Sequence, residues 1–367
     1  MTSRNSTGSQ KKRIIIVAGG TGGHVFPALC IAERLKLWGH DVVFATDSRG
    51  DSYLGSYAGR KCVQKINNSS RLRLIISLTT NLLLSIFFLA RNRVDGVVGF
   101  GGYPSLPFVL AAQLLRIKTV LHEQNAIVGR ANKLLSIMAS KVIVSFQSTA
   151  NLQLKKNILI GNPTRFEHNY MKPPLKRTHR AFTILIFGGS QGARIFSEVV
   201  CSAICEIAKI ERLRVWHQGR QTDLPRIIAQ YSASDLEYST SSFFVDIANL
   251  YEESDLVISR AGASSIFEII GFKKPSILIP FQMSVNGDQK ANAEFLRERG
   301  AAIVIEENEP DLQKKLTESI LKIMHNAELR LQISRNLQKL YEEDVTEKCA
   351  RLIENELAGA PGFEPGK

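Results

Sequence analysis

Paired cysteines are missing from this chain. Its five cysteines, Cys30, Cys62, Cys201, Cys205 and Cys349, are odd in number and scattered. Only Cys201 and Cys205 stand one helical turn apart, and no second Cys/His pair at zinc spacing joins them. That excludes a disulfide framework and a zinc finger, and it reads as reduced thiols in a cytosolic protein. The first dozen residues are polar and basic, without the apolar core of a secretory signal. The glycine pattern G-x-G-x-x-G of a dinucleotide site is absent, and so is the Lys-Ser/Thr of a P-loop; this argues against a nicotinamide dehydrogenase and an NTPase. No Asp-x-Asp pair or His/Asp cluster stands at a strand end, so no metal and no cofactor are expected. Acidic residues are scarce in one half only. Residues 1–165 hold 22 Lys and Arg against 6 Asp and Glu, whereas the rest is close to balance, within a total charge of +13. Such asymmetry gives the first half an anionic partner, a nucleic acid or an anionic membrane surface.

What is present is a repeated syntax. Arg13–Ala18 is a short apolar run that ends in Gly19-Gly-Thr-Gly-Gly-His24, and a helical pattern and a second strand, Asp41–Thr46, follow. The same order returns at Phe182–Phe187, Gly188-Gly-Ser-Gln-Gly-Ala193, a helical stretch and Leu213–His217. Further strand candidates are Gly96–Gly99, Lys118–His122, Lys141–Val144, Asp255–Ser259 and Pro275–Pro280. At 367 residues the chain is too long for one ordinary core. Strands alternating with helices therefore predict two α/β domains with doubly wound, mostly parallel sheets. The turn formers from Gly161 to Pro174 place the junction between them. Glycine turns between strand and helix suit an anion, because backbone amides come close and the helix dipole favours negative charge. His24 follows the first turn and is read either as a general base or as a helix-capping residue. Ser190 offers a hydroxyl to a diphosphate, and Glu268, one turn into the helix after Arg260–Ser265, suits ribose hydroxyls. Asp288 and Gln289, near Asn292, could meet a sugar.

Leu74–Ala90 is mainly apolar and is flanked by Arg71 and Arg73 before it and by Arg91 and Arg93 after it. Ser77, Asn81 and Ser85 share one helical face. An interfacial helix presenting Leu83, Phe87 and Phe88 to lipid fits this pattern, with a core helix as the rival reading. With the charge excess it favours the membrane surface, and no nucleic acid, as partner.

Six segments in order, Gly19–His24, Gly101-Gly-Tyr-Pro-Ser-Leu-Pro107, His122-Glu-Gln-Asn125, Gly161-Asn-Pro-Thr-Arg165, Gly188–Ala193 and Arg260-Ala-Gly-Ala263 with Glu268, resemble the MurG family of glycosyltransferases over about residues 13–355. The resemblance implies a GT-B fold, two Rossmann-like doubly wound domains facing an interdomain cleft. It implies an N-terminal acceptor and membrane domain over 13–163, with a C-terminal helix near 342–357 packing back on it, and a UDP-GlcNAc domain over 164–341. It implies inverting transfer of GlcNAc from UDP-GlcNAc to the C4 hydroxyl of MurNAc in lipid I, the undecaprenyl-pyrophosphoryl-MurNAc-pentapeptide, giving lipid II for peptidoglycan. The place would be the cytoplasmic face of the bacterial inner membrane. Carried over by motif, Thr21, Gly22, Gly23, Asn125, Arg165 and Ser190 match donor-site positions. Phe244 matches a uracil contact, and Ala263, Ser264, Ser265, Ile266, Phe267 and Glu268 match the ribose loop. Gln289 matches a sugar contact, and His24 is the candidate base. Asp288 and Ser265 depart from the family's usual His or Gln and Thr. A UDP-GlcNAc 2-epimerase and a non-catalytic scaffold on the same fold are the competing readings.

Overall fold

The computed structural model describes residues 11–55, 57–67, 69–150, 157–170, 181–188 and 194–358. They divide into two compact units, one within Met1–Gln124, Val128–Arg165 and Asp344–Lys367, the other within Asn125–Ile127 and Phe166–Glu343.

The first unit carries β1 (Arg13–Val17), β2 (Asp41–Asp47), β3 (Arg60–Gln64), β4 (Gly96–Gly99), β5 (Lys118–Glu123), β6 (Lys141–Val144) and β7 (Asn157–Leu159). They form one sheet in the order β3-β2-β1-β4-β5-β6-β7, and every pairing is parallel. Its helices are α1 (Gly22–Leu37), α2 (Ser48–Leu54), α3 (Arg71–Asn92), α4 (Ser105–Leu114), α5 (Arg130–Leu135) and α6 (Gln147–Ala150). β1 shows why the sheet is covered twice. Ile14 and Ile16 pack into one apolar layer with Val25, Ala28, Ile31 and Leu35 of α1. Ile15 and Val17 pack into another with Leu89 of α3 and Phe108, Val109 and Ala112 of α4. A strand buried on both faces needs an unbroken apolar run, and that is what the sequence has here.

The second unit holds β8 (Phe182–Phe187), β9 (Leu213–Gln218), β10 (Glu237–Ser241), β11 (Leu256–Ser259), β12 (Ser276–Leu278) and β13 (Ile303–Val304), in the parallel order β10-β9-β8-β11-β12-β13. Its helices are α7 (Cys201–Ile207), entered through a π-helical turn over Phe196–Val200, then α8 (Leu224–Ser232), α9 (Ile247–Glu253), α10 (Ala263–Phe272), α11 (Asp288–Arg297), α12 (Leu312–His325) and α13 (Ala327–Leu340). The last helix, α14 (Val345–Ala358), belongs to the first unit. Its Cys349, Leu352 and Ile353 enter the α1 layer, and Leu357 lies so close over Gly96 that a Cβ there would meet it at 2.1 Å.

Helix α3 is turned against the usual rule. Asn81 and Ser85 are buried, whereas Leu72, Ile75, Ile76, Leu83, Leu84 and Phe87 are exposed. The buried edge is polar before it reaches Leu89, because it serves a loop there: Asn81 Nδ2 and Ser77 Oγ both donate to the Lys65 carbonyl. Arg71, Arg73 and Arg91 flank the apolar face and are exposed. Phe88 corrects the sequence reading. It is half-buried and packs edge-on against Phe108 of α4 at 5.9 Å, so it belongs to the core layer.

Candidate active site

In an open parallel sheet, ligands sit beyond the carboxyl ends of the strands where the strand order reverses. In the first unit that point lies between β1 and β4. The loop after β1 is Gly19–Thr21, and the loop after β4 contains Gly101 and Gly102, with φ of +85° and +76°. Gly20, at φ +81°, lets the chain fold back so that its N–H reaches Asp47 Oδ1 at 2.9 Å. The same oxygen accepts Gly50 N–H at 2.9 Å. Asp47, at the end of β2, thus pins the glycine turn from below. A Cβ on Gly19 would lie 2.6 Å from that carboxylate, so glycine is required there.

His24 stands in the first turn of α1, and its Nδ1 lies 3.1 Å from Thr21 Oγ1. The ring keeps some exposed surface, yet protein crowds it closely enough that burial lowers its pKa to about 4, against the raising effects of Asp47 and the Gly19 carbonyl. The imidazole is therefore neutral at neutral pH, the form a general base needs. His122, at the end of β5, is fully buried and stacks on Phe100 at 5.1 Å. Gln124 Nε2 lies 3.0 Å from its Nδ1, and its Nε2 lies 3.2 Å from the Gly161 carbonyl. An amide donating to Nδ1 leaves the proton on Nε2, which donates to Gly161 and holds the start of the Gly161–Arg165 segment. Burial lowers His122 to about 4 as well. Arg165, which ends that segment, lies over the Phe26 ring at 3.9 Å. The first unit thus gathers Thr21, Gly22, Gly23, His24 and Arg165 at the opening turn of α1.

In the second unit the strand order reverses between β8 and β11. The turn after β8 carries Ser190, which lies outside the described residues. The turn after β11 is Arg260–Gly262, and α10 opens at Ala263 with Gly262 as its N-cap. Ser264, Ser265 and Phe267 are half-buried there. Ile266 is fully buried in the core, so its side chain has no route to a ligand and only its backbone could serve one. Glu268 is 8% exposed, and Tyr251 of α9 donates to its Oε2 at 3.1 Å. The buried Tyr251 phenol thus helps to orient the Glu268 carboxylate. Phe244 is half-buried in the stretch between β10 and α9.

Gln289 accepts Phe281 N–H on its Oε1 at 3.0 Å. The half-buried Asp288 accepts Gln289 N–H on its Oδ1 at 2.7 Å, and burial raises its pKa. Two residues beyond the named site hold this region. Arg260 is nearly buried between the Phe196 and Phe281 rings, donates to the Ile279 carbonyl at 3.0 Å and pairs with Glu307 at 2.7 Å. Glu307 in turn accepts Gln282 N–H at 3.2 Å. Asn292, fully buried on α11, binds Ala261, Asn125 and Ala126. The spacing of Gln289 and Asn292 puts both on one side of α11, the only sequence signal that linked them.

The Glycosyltransferase family 28 N-terminal domain model matches residues 14–144, and the Glycosyltransferase family 28 C-terminal domain model matches residues 183–348. An Agrobacterium fabrum protein is 37% identical over 314 residues, covering 82% of this chain and 83% of its own length. A Sinorhizobium fredii protein is 34% identical over 359 residues, covering 95% and 96%. Both are named UDP-N-acetylglucosamine–N-acetylmuramyl-(pentapeptide) pyrophosphoryl-undecaprenol N-acetylglucosamine transferase. The crystal structure of Acinetobacter baumannii MurG superposes with a TM-score of 0.78 at 28% identity, covering 94% of this chain and 99% of that one. The calicheamicin glycosyltransferase CalG4, at a TM-score of 0.71 and 13% identity, shares the fold alone. Two parallel doubly wound sheets with glycine turns at their reversal points define a glycosyltransferase of the GT-B fold. Within that class the chain belongs to the MurG family, the UDP-N-acetylglucosamine–N-acetylmuramyl-(pentapeptide) pyrophosphoryl-undecaprenol N-acetylglucosamine transferases.

Proposed function

We propose that this chain transfers GlcNAc from UDP-GlcNAc to the C4 hydroxyl of MurNAc in lipid I, with inversion, forming lipid II at the cytoplasmic face of the bacterial inner membrane. The observation that carries this reading is 34% identity to a named transferase across 95% of the chain. The acceptor oxygen bonds to the anomeric carbon as the bond from that carbon to the diphosphate breaks. The acceptor proton passes to a base, and UDP departs with the bonding pair. His24 is the base in this reading: it is neutral, because burial lowers its pKa to about 4, and Thr21 orients its ring. Arg165 and Ser190 meet the developing diphosphate charge, with Thr21, Gly22 and Gly23 lining the donor side of the first turn. Glu268 takes the ribose hydroxyls, with Ala263–Phe267 forming the floor and Phe244 reading the uracil. Asn125 and Gln289 hold the sugar.

The first unit binds the membrane through α3 in this reading. The support is the exposed side of the helix: Asn81, Ser85 and Leu89 face the domain, whereas Leu72, Ile75, Ile76, Leu83, Leu84 and Phe87 are exposed beside arginines. α3 is long and apolar enough to cross a bilayer, but its packing on α4 and its bonds to Lys65 favour a helix lying in the interface.

The direct test is incubation of purified protein with radiolabelled UDP-GlcNAc and a lipid I analogue. Labelled lipid of one added sugar is expected. ManNAc formation without transfer would overturn the reading in favour of an epimerase.

A further inference from the structure

Gln218 closes β9, at the carboxyl end of the second sheet. Successive side chains of a strand point to opposite faces. His217 takes one face, where its Nδ1 meets Tyr231 OH at 2.8 Å, so Gln218 takes the other. Its register partners are Phe187 of β8 and Ser241 of β10. Phe187 packs edge-on against Tyr251 of α9 at 5.8 Å, and Tyr251 donates to Glu268. Gln218 therefore shares a sheet face with the carboxylate read as the ribose ligand. In the order β10-β9-β8-β11, Phe244 follows β10 and Glu268 follows β11, so β9 ends between the two. Gly219 N–H donates to the Ser241 carbonyl at 3.1 Å, tying the end of β9 to the end of β10. Ser241 Oγ donates to the Phe243 carbonyl at 2.7 Å and accepts Phe243 N–H at 3.2 Å, which fixes the backbone just ahead of Phe244. Gln218 is half-buried, and among the described residues no hydrogen bond engages its side-chain amide.

We infer that Gln218 is a base-contacting residue of the donor site, whose NH2 donates to a ring carbonyl of the uracil. This rests on the reading of Phe244 as the uracil contact and of Glu268 as the ribose contact. The base hangs directly on the ribose, so a residue between those two contacts stands beside it. Uracil carries two carbonyl oxygens, each an acceptor, and the amide brings two N–H donors. A base that covers Gln218 takes water away from the amide, and the hydrogen bond repays that cost.

The test compares two probes by calorimetry on the full chain: UDP, and ribose 5-diphosphate, which lacks the base. The parent protein should bind UDP more tightly. Gln218→Ala should weaken UDP about tenfold, the scale of one hydrogen bond lost, and leave ribose 5-diphosphate binding unchanged. Gln218→Met keeps the length of the side chain without its hydrogen bonds. It should lose as much UDP affinity as the alanine variant, and it gives the same reading if that variant fails to fold. Unchanged UDP affinity in both variants, recovery of it by methionine, or equal losses for the two probes would overturn the inference alone. A parent protein that binds the two probes equally would overturn the reading of Phe244 as a base contact and the inference with it.

Discussion

Replacing Leu83, Leu84 and Phe87 together by serine removes the outermost part of the α3 face without entering the core. These side chains are 64%, 61% and 66% exposed. Burying a whole Leu or Phe is worth about 1.5–3 kcal/mol, so about two thirds of each gives about 1–2 kcal/mol, and the three together about 3–6 kcal/mol. That corresponds to a fall of about 10²- to 10⁴-fold in the partition coefficient onto lipid vesicles. Sedimentation with phosphatidylglycerol-containing vesicles would measure it, with thermal unfolding run in parallel. The unfolding midpoint should stay near that of the parent, since the replaced groups face solvent. Neutralising Arg71, Arg73 and Arg91 should cost about 1 kcal/mol each at low salt and little at high salt, whereas the serine effect persists in salt. Phe88→Ser is the control with the opposite signature. It leaves a gap beside Phe108 and should destabilise the first unit by about 1–3 kcal/mol. If the triple serine protein binds vesicles within about threefold of the parent, the apolar face of α3 is not a lipid surface.

Glu268→Ala should weaken UDP-GlcNAc binding by about 1.5–3 kcal/mol, the range for a charge-assisted hydrogen bond, and unchanged affinity by calorimetry would remove the ribose role. His24→Ala should lower kcat far more than it raises the donor KM, and near-normal turnover would take His24 out of the mechanism. Arg260→Lys loses the flat fork that reaches both Ile279 and Glu307 between two rings. It should cost about 1–3 kcal/mol in urea unfolding, less than a fully buried pair because Glu307 keeps some exposure. His24, His122 and His217 are lowered to about 4, about 4 and about 3, chiefly by burial. Their folded values lie below the unfolded value of about 6.5, so the unfolded chain binds more protons and stability falls as pH drops from there toward 4. Each contributes at most about 1.4 kcal/mol per pH unit in that window, and His217→Phe should remove one proton's share from the slope of stability on pH.

The nine strands named from sequence are the interior strands of the two sheets, and the four left unread, β3, β7, β10 and β13, are the four edges. The reason is burial. Interior strands of a parallel sheet are apolar on both faces and show as runs such as Ile14-Ile-Ile-Val17. β10, Glu237-Tyr-Ser-Thr-Ser241, carries a polar edge pattern with no buried residue, and β13 is two residues long. The glycine turn after β1 was legible because a tight strand-to-helix turn leaves a local mark. Asp47 and Asn292 were not legible as supports. Their roles are bonds to Gly20, Gly50, Ala126 and Ala261, which only the folded chain brings to them. Asp47 even stood where a ribose ligand would be sought, and the structure spends its carboxylate on backbone amides instead.

Helix α3 shows what a periodic pattern contains and what it lacks. Ser77, Asn81 and Ser85 at four-residue spacing define a stripe, but a stripe has no sign. The ordinary rule, apolar inward and polar outward, would turn it to solvent and bury Leu83 and Phe87. The fold turns it the other way because Lys65 presents a carbonyl that Asn81 and Ser77 satisfy, and because α4 offers Phe108 to Phe88 at the edge of the stripe. The sign was available only through a second, global quantity, the excess of basic residues in the first 165. An apolar face costs little when lipid covers it, and basic flanks are stabilised by the same anionic surface. Under the proposed membrane binding, charge and the exposed apolar face of α3 share one physical cause, and removing either should weaken the same binding step.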